Sequence, residues 1–455
     1  MEGKDTQNKN KGPLWALLQK VEGDKVIMII VLLLLLISFL AIFSSTPLLP
    51  AQESRLKTMT SHGLVAIFGI CLMTGLYHMK VDWLKSLSKI GFIGSFGMLA
   101  MLLMKVNIPG ILQTQTINGA VRNFSLAGIQ IHVFEIVKVA MIMYLAWAMD
   151  AVKGSGQNFR VINFLRRLFP RLKVLKRPLG KRLVYVYIPT ILISLMVFFG
   201  SGSSAIFICA VLIGAMLVGG VPMKELLLAG VVLFIGFFSM VTLYKVSDGR
   251  MVKRVGTMIS RMNADYDINR LEGLKVGSDE YHNMVDTLSQ PVSAMIAVHE
   301  GGWIGKGTGN STQKYRVQNI YGDYMFSFLI EEYGLVGGIV ILILYMSLLA
   351  RSSIIARLCS DEFAKYLLGG LALLITGQAF MHIMVNVGIG PMTGQTLPLI
   401  SHGASAFIAF CFAFGVILSI SRTAKKKMDT AEEMTRKDMN SVDDNIEKAA
   451  KSNKE

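Results

Sequence analysis

The strongest constraint in this sequence is its series of long apolar stretches. A helix needs roughly 20 mostly apolar residues to cross a bilayer, and in hydrocarbon its backbone N–H and C=O groups must be satisfied internally. About ten stretches approach that length: Val26–Ser44, His62–Met79, Ile90–Met104, His132–Met149, Leu183–Gly200, Ala205–Gly220, Leu226–Leu243, Gly334–Leu349, Ala364–Val385 and Ala404–Ile420. With 53% hydrophobic and 17% charged residues among 455, the chain reads as an all-α polytopic membrane protein rather than a soluble one. No cleavable signal is expected, because about two dozen polar residues precede a first run long enough to span.

The net charge of +16 could suggest nucleic acid, but its placement points to topology. Lys153, Arg160, Arg166, Arg167, Arg171, Lys173, Lys176, Arg177, Lys181 and Arg182 all lie between the fourth and fifth spans, with no acid among them. The positive-inside rule makes that joint cytoplasmic. Ten spans then put both termini inside and the long joint after the seventh span outside. The expected organisation is a cytoplasmic tail over 1–25, a transmembrane domain over 26–421 with a large extracytoplasmic loop at 246–333, and a second cytoplasmic tail over 422–455. Within that loop, the spacing of Val255, Met258 and Met262 predicts an amphipathic surface helix. Of the four cysteines, Cys71, Cys209 and Cys411 fall in spans and Cys359 in a cytoplasmic joint, a pattern that fits neither a disulfide framework nor a metal site.

Three segments break the apolar pattern. From Gln290 to Gly334, glycines accumulate at Gly301, Gly302, Gly305, Gly307 and Gly309, followed by Lys306, Lys314 and Arg316. Such a loop can approach a ligand closely, and its cations suit a phosphate; a loop that merely packs over the bundle is the plain alternative. Asp323 stands among Tyr321, Tyr324, Met325 and Phe326, where partial desolvation moves a carboxylate toward the pKa of a usable base. Its plain alternative is a helix cap. Glu331 and Glu332 close the stretch. In the fourth span, Glu135 and Lys138 are three apart and share a helix face, and ionisable groups at that depth face a partner or a cavity. Between Asn386 and Ser405, the density of Gly and Pro predicts irregular backbone at membrane depth, which requires protein or a water-filled cavity around it.

These segments together resemble the SEDS family (shape, elongation, division and sporulation), whose members include FtsW, RodA and SpoVE. Asn118-Gly119-Ala120-Val121-Arg122 resembles its NGAxR, and Glu135 and Lys138 fall on the acid and lysine of its PSExxK. Gly301-Gly302, Gly305, Gly307, Gly309, Asn310-Ser311 and Lys314 follow GGxxGxGxGxSxxK; Asp323, Phe326, Glu331-Glu332 and Gly334 follow TDFIFAxxxEExG. Gly394, Leu397-Pro398, Ser401, Gly403 and Ser405 follow GxxLPFxSxGGS. The chain departs from the pattern at His132-Val133-Phe134, Asn123, Ser201, Gln318-Asn319 and Ala404.

The resemblance implies a peptidoglycan glycosyltransferase that polymerises lipid II at the outer face of the cytoplasmic (inner) membrane with a class B penicillin-binding protein. It implies Asp323 as the catalytic general base and Arg122, Glu135, Lys138, Arg254, Gln290, Lys314 and Ser401 as substrate-binding residues. It leaves open a divalent cation, Mg or Mn, at the diphosphate, and names no other cofactor. The polar tails lean to the FtsW type and so to septal wall synthesis alongside other division proteins; an elongation-type, RodA-like polymerase is the nearest alternative. A flippase for the lipid-linked precursor and a non-catalytic division scaffold are readings from other classes.

The topology is checked by labelling single cysteines in intact cells with a membrane-impermeant thiol reagent. Ser278→Cys should react and Ser155→Cys should not; the reverse pattern would invert the chain in the membrane.

Overall fold

The structure, a computed structural model, describes residues 22–45, 55–108, 112–117, 120–126, 129–154, 160–168, 177–247, 256, 278–317, 320–390 and 393–426. Most of both expected tails, Asn118-Gly119, Gln318-Asn319, Arg254 and the surface helix expected around Met258 lie outside the described residues.

Each expected span coincides with a helix. These are α1 (Lys25–Ser45), α2 (Arg55–Tyr77), α3 (Val81–Leu103), α4 (Val133–Lys153), α6 (Pro178–Gly200), α7 (Gly202–Val218), α8 (Met223–Val246), α10 (Met325–Leu358), α11 (Glu362–Asn386) and α12 (Ala404–Lys426). Between them lie α5 (Arg160–Leu168), in the basic joint, and α9 (Asp279–Gly301), which runs into the glycine-rich loop. Among the described residues eight helices are long and apolar enough to cross a membrane: α1, α2, α3, α6, α8, α10, α11 and α12. Helix α7 is shorter, and α4 carries Glu135, Lys138, Asp150 and Lys153.

Helix α4 can hold those charges because it is the central helix. From Val133 to Met149 nearly every side chain is buried, enclosed by α3, α7 and α11. A helix surrounded by protein never presents its polar groups to lipid, so they need only find partners among neighbouring helices. Helix α8 is the opposite case. Leu227, Leu228, Val231, Val232, Phe234, Ile235 and Phe238 are all exposed, the pattern of an element whose surface is covered by lipid.

The fold is helical, with one addition that hydropathy did not foresee. Strands β1 (Leu112–Ile117), β2 (Ala120–Leu126) and β3 (Ile129–His132) form an antiparallel meander. Strand β3 runs directly into α4, so the sheet sets where that helix begins. Ser405, in the first turn of α12, fastens the junction: its Oγ accepts from the His132 N–H at 3.1 Å and donates to the Gln130 carbonyl at 2.9 Å. The clamp holds the residues just before Val133, the position where the SEDS pattern has a proline.

Candidate functional site

The glycine-rich loop is built into a break in α10. At Gly334 (φ 70°, ψ −177°) the helix is interrupted, so the Leu335 and Val336 N–H groups lose their carbonyls four residues back, Glu331 and Glu332. The loop replaces both bonds from both sides. Leu335 and Val336 donate to the Gly302 and Trp303 carbonyls at 2.9 and 3.3 Å, while Lys306 and Gly307 donate their N–H groups to the Glu331 and Glu332 carbonyls, both at 2.9 Å. The two backbones are therefore pressed together. A Cβ on Gly305 (φ +85°) would sit 2.3 Å from the Glu332 carbonyl oxygen, and one on Gly334 would sit 2.2 Å from that of Trp303. These glycines admit another strand of backbone where the phosphate reading expected a ligand.

The two acids finish the joint from inside. Glu331, fully buried, accepts from Ser311 Oγ (2.5 Å), the Thr312 N–H (2.8 Å), Thr312 Oγ1 (2.9 Å) and Lys306 Nζ (2.9 Å). Glu332 accepts from Ser44 Oγ at the end of α1 (2.6 Å) and the Gly309 N–H (2.9 Å). Lys306 also pairs with Glu300. Partial burial pulls the Lys306 ammonium down, but its bonds to Glu300 and Glu331 hold it above the ordinary lysine range. Lys314 is buried, its Nζ donating to the Gly309 and Ser44 carbonyls at 2.7 and 3.3 Å. Lys306 and Lys314, read from sequence as phosphate ligands, are thus spent within the loop, and Arg316 is exposed.

Asp323 is half-buried, just before α10, on a backbone pinned at three successive carbonyls. Tyr321 O accepts the His402 N–H (2.7 Å), Gly322 O accepts Ser401 Oγ (2.8 Å) and Asp323 O accepts Asn386 Nδ2 (3.1 Å). Two N–H groups of the first turn of α10 are engaged by α11: Phe326 donates to His382 Nε2 at 3.3 Å and Ser327 to Asn386 Oδ1 at 2.9 Å. Its carboxylate lies on the side of Gly394, where a Cβ would stand 3.9 Å from Oδ2.

The next residue, Gln395, connects this wall to the Glu135–Lys138 pair. Lys138, 2% exposed, donates to Glu135 Oε1 (2.7 Å), Gln378 Oε1 (2.5 Å) and Gln395 Oε1 (2.8 Å), and lies over the Phe207 ring at 5.5 Å. Gln395 also donates to Ser204 Oγ at 3.1 Å, in the first turn of α7, which Ser201 caps. The Gln395 carbonyl lies 2.7 Å from His382 Nδ1 and can only accept, so that nitrogen carries the proton and Nε2 is the acceptor facing Phe326. His382 therefore clasps the Asp323 end of α10 to the segment bearing Gly394.

Of the residues singled out from sequence, the structure brings Asp323, Glu135, Lys138 and Ser401 to one wall. Arg122 stands in β2, its side chain outside the described set, and Gln290 is half-buried in α9, directly before Pro291. Sequence reasoning missed Gln378, His382 and Asn386. Their signal was available: polar residues at i, i+4 and i+8 form one stripe on the otherwise apolar α11, and all three are buried.

Two measurements test these couplings. Lys138→Met would leave the Glu135 carboxylate buried without its counter-charge and should destabilise the purified protein by about 3–5 kcal/mol in unfolding experiments. Adding Glu135→Gln should recover part of that loss; strict additivity would mean that the two groups do not interact. Gly305→Ala and Gly334→Ala should each lower stability by at least about 1–3 kcal/mol, from backbone strain alone, in the same assay.

Comparison with known proteins places this architecture. The cell cycle protein family of FtsW, RodA and SpoVE matches residues 24–426. A probable peptidoglycan glycosyltransferase FtsW of Hahella chejuensis is 28% identical over 391 residues, 84% of this chain and 85% of that protein. Stage V sporulation protein E of Bacillus subtilis is 26% identical over 415 residues, 90% of this chain and 99% of its own. Among solved structures, RodA of Thermus thermophilus matches with a TM-score of 0.55 at 20% identity, over 89% of this chain and 98% of that one. A chain of a peptidoglycan synthase complex that coordinates polymerization and crosslinking matches with a TM-score of 0.56 at 21% identity, over 88% and 98%. At such identities the two structures speak to the fold alone.

Proposed function

The chain belongs to the FtsW, RodA and SpoVE family of cell cycle proteins, and on that premise we propose that it is a peptidoglycan glycosyltransferase. Peptidoglycan glycosyltransfer is the activity carried in the names of its FtsW relatives; the proposed form of it is polymerisation of lipid II into glycan strands at the outer face of the cytoplasmic membrane during cell division. The observation that carries the reading to a residue is the mounting of Asp323, a half-buried carboxylate on a backbone held at three consecutive carbonyls. Of the other acids of the stretch, Glu331 and Glu332 are buried in the loop joint and Glu300 is paired with Lys306, which leaves Asp323 as the acid suited to meet a substrate.

In the proposed step, Asp323 takes the proton of the sugar 4-hydroxyl of an incoming lipid II while that oxygen bonds to the anomeric carbon of the growing strand. The bond from that carbon to polyprenyl diphosphate breaks, and its electron pair leaves with the diphosphate. Attack from the opposite face turns an α-linked donor into a β-1,4 link. The leaving group is already good, so one base suffices where a glycosidase uses two carboxyl groups. Arg122 and Arg254 are the cations proposed for the diphosphate, with Lys314 contributing charge from inside the loop. Glu135, Lys138 and Ser401 serve by fixing the wall behind Asp323, and Gln290 lines the approach from α9. Among the described residues no group of three or more His, Cys, Asp or Glu side chains is arranged to hold a metal.

A class B penicillin-binding protein that crosslinks the strand is the proposed partner, in keeping with the synthase complex whose fold this chain shares. A flippase would need polar side chains open along a path through the bilayer. Here Glu135, Lys138, Gln378 and Gln395 are bonded to one another, which favours the polymerase.

The test is Asp323→Asn, assayed for polymer with purified lipid II in the presence of the partner. A positioned base contributes about 10²–10⁴-fold, so polymerisation should fall by that order at unchanged membrane abundance. Activity within a few-fold of wild type would remove Asp323 from the chemistry.

A further inference from the structure

The basic joint between α4 and α6 takes no part in that chemistry, yet its helix is built with two apolar flanks. On one flank of α5, Ile162 and Leu165 pack onto Trp147 and Ala151 of α4 and onto Val184 and Tyr185 of α6. The apolar arc continues beyond that contact. Val161, Phe164 and Leu168, at i, i+3 and i+7, extend it and are 51%, 64% and 58% exposed. The opposite side is polar: Asn163 and Arg167 are exposed and Arg166 is half-buried.

The height of α5 decides what can cover the open flank. Trp147 and Ala151 belong to the last two turns of α4, and Val184 and Tyr185 to the π-helical turn (Leu183–Tyr187) near the start of α6. The helix therefore lies beside the ends of two membrane-embedded helices, at the level of the membrane boundary. Trp147 marks that level from its other side, with Lys89 Nζ 4.8 Å from its ring, an aromatic and cation combination typical of the interface. The joint carries ten cations and no acid from Lys153 to Arg182. An apolar flank at the boundary, backed by arginines, is complementary to an anionic lipid leaflet and not to water.

We propose that α5 lies in the plane of the membrane, with Val161, Phe164 and Leu168 among the acyl chains and Arg166 and Arg167 on anionic phospholipid headgroups. By the positive-inside rule the leaflet is the cytoplasmic one. The helix makes the protein a reader of anionic lipid on the face opposite its proposed active site.

The test uses the full chain with its native cysteines replaced, reconstituted in phosphatidylcholine vesicles with and without phosphatidylglycerol. A nitroxide is placed at Phe164→Cys or at Asn163→Cys. At position 164 oxygen should relax the label more than a water-soluble nickel chelate does, and at position 163 the order should reverse. In native mass spectrometry, wild type should retain phosphatidylglycerol in preference to phosphatidylcholine. Arg166→Gln with Arg167→Gln should erode that preference by about fivefold for each arginine. Nickel access at 164 equal to that at 163 would place the flank in water and overturn the proposal. Protection of 164 from both relaxants would overturn it in favour of a protein partner, and an unchanged lipid preference in the double variant would overturn the headgroup contact.

Discussion

A lysine ammonium buried inside a membrane protein must find its acceptors or the structure around it fails, because an unpaired charge in a low-dielectric interior is prohibitively costly. Lys138 meets that demand with three acceptors drawn from three parts of the chain: Glu135 on its own helix, Gln378 on α11 and Gln395 on the irregular return before α12. The described residues of the return segment form neither helix nor strand; the Gln395 side chain pins the segment to α4 while the Gln395 carbonyl pins it to His382. Tyr345 and Gln378 add further anchors at the Pro398 and Thr396 carbonyls, at 2.5 and 3.0 Å. The segment also supplies Ser401 and His402 to the carbonyls before Asp323, and α11 supplies Asn386 and His382 to the helix that follows.

The three acids between Tyr321 and Gly334 illustrate how burial sorts chemically similar groups. Glu331 and Glu332 are 0% and 1% exposed, and their oxygens are taken by hydroxyls, backbone N–H groups and a lysine. They act as internal fasteners. Asp323 keeps part of its surface open while its main chain is immobilised. A base that works on a hydroxyl needs both conditions, access for the substrate and little freedom of its own.

Much of this was legible in the sequence. Long apolar runs are a strong signal, and each expected span is a helix in the structure. The three-residue spacing of Glu135 and Lys138 on α4 predicted a shared face, and they meet at 2.7 Å. Other features were hidden for physical reasons. In the meander Leu112–His132, the first strand carries four polar residues in a row and only Phe124–Leu126 and Ile129–His132 alternate, too short a period-2 signal for hydropathy averaging to register. Gln378, His382 and Asn386 were diluted in the same way inside an apolar helix. Lys314 shows a harder limit: nothing in a run of glycines and cations says whether a lysine will turn outward to a phosphate or inward to a carbonyl. Here it turns inward, to the Gly309 carbonyl five residues away and to that of Ser44, some 270 residues earlier in the chain.

The interrupted helix α10 has a consequence for how this protein can diverge. Four backbone bonds join the loop to the break at Gly334, two in each direction, and they match only when Gly302, Trp303, Lys306 and Gly307 arrive in register. One residue more or less would displace the loop backbone by up to about 3.3–3.6 Å, farther than a hydrogen bond can stretch. The loop is thus a splint cut to length. Its side chains are a separate matter: Trp303 and Ile304 point away from the joint, 69% and 84% exposed. Drift in this loop is expected to change letters and spare the count, so that in this chain a feature usually counted as a loop obeys the indel rules of a helix.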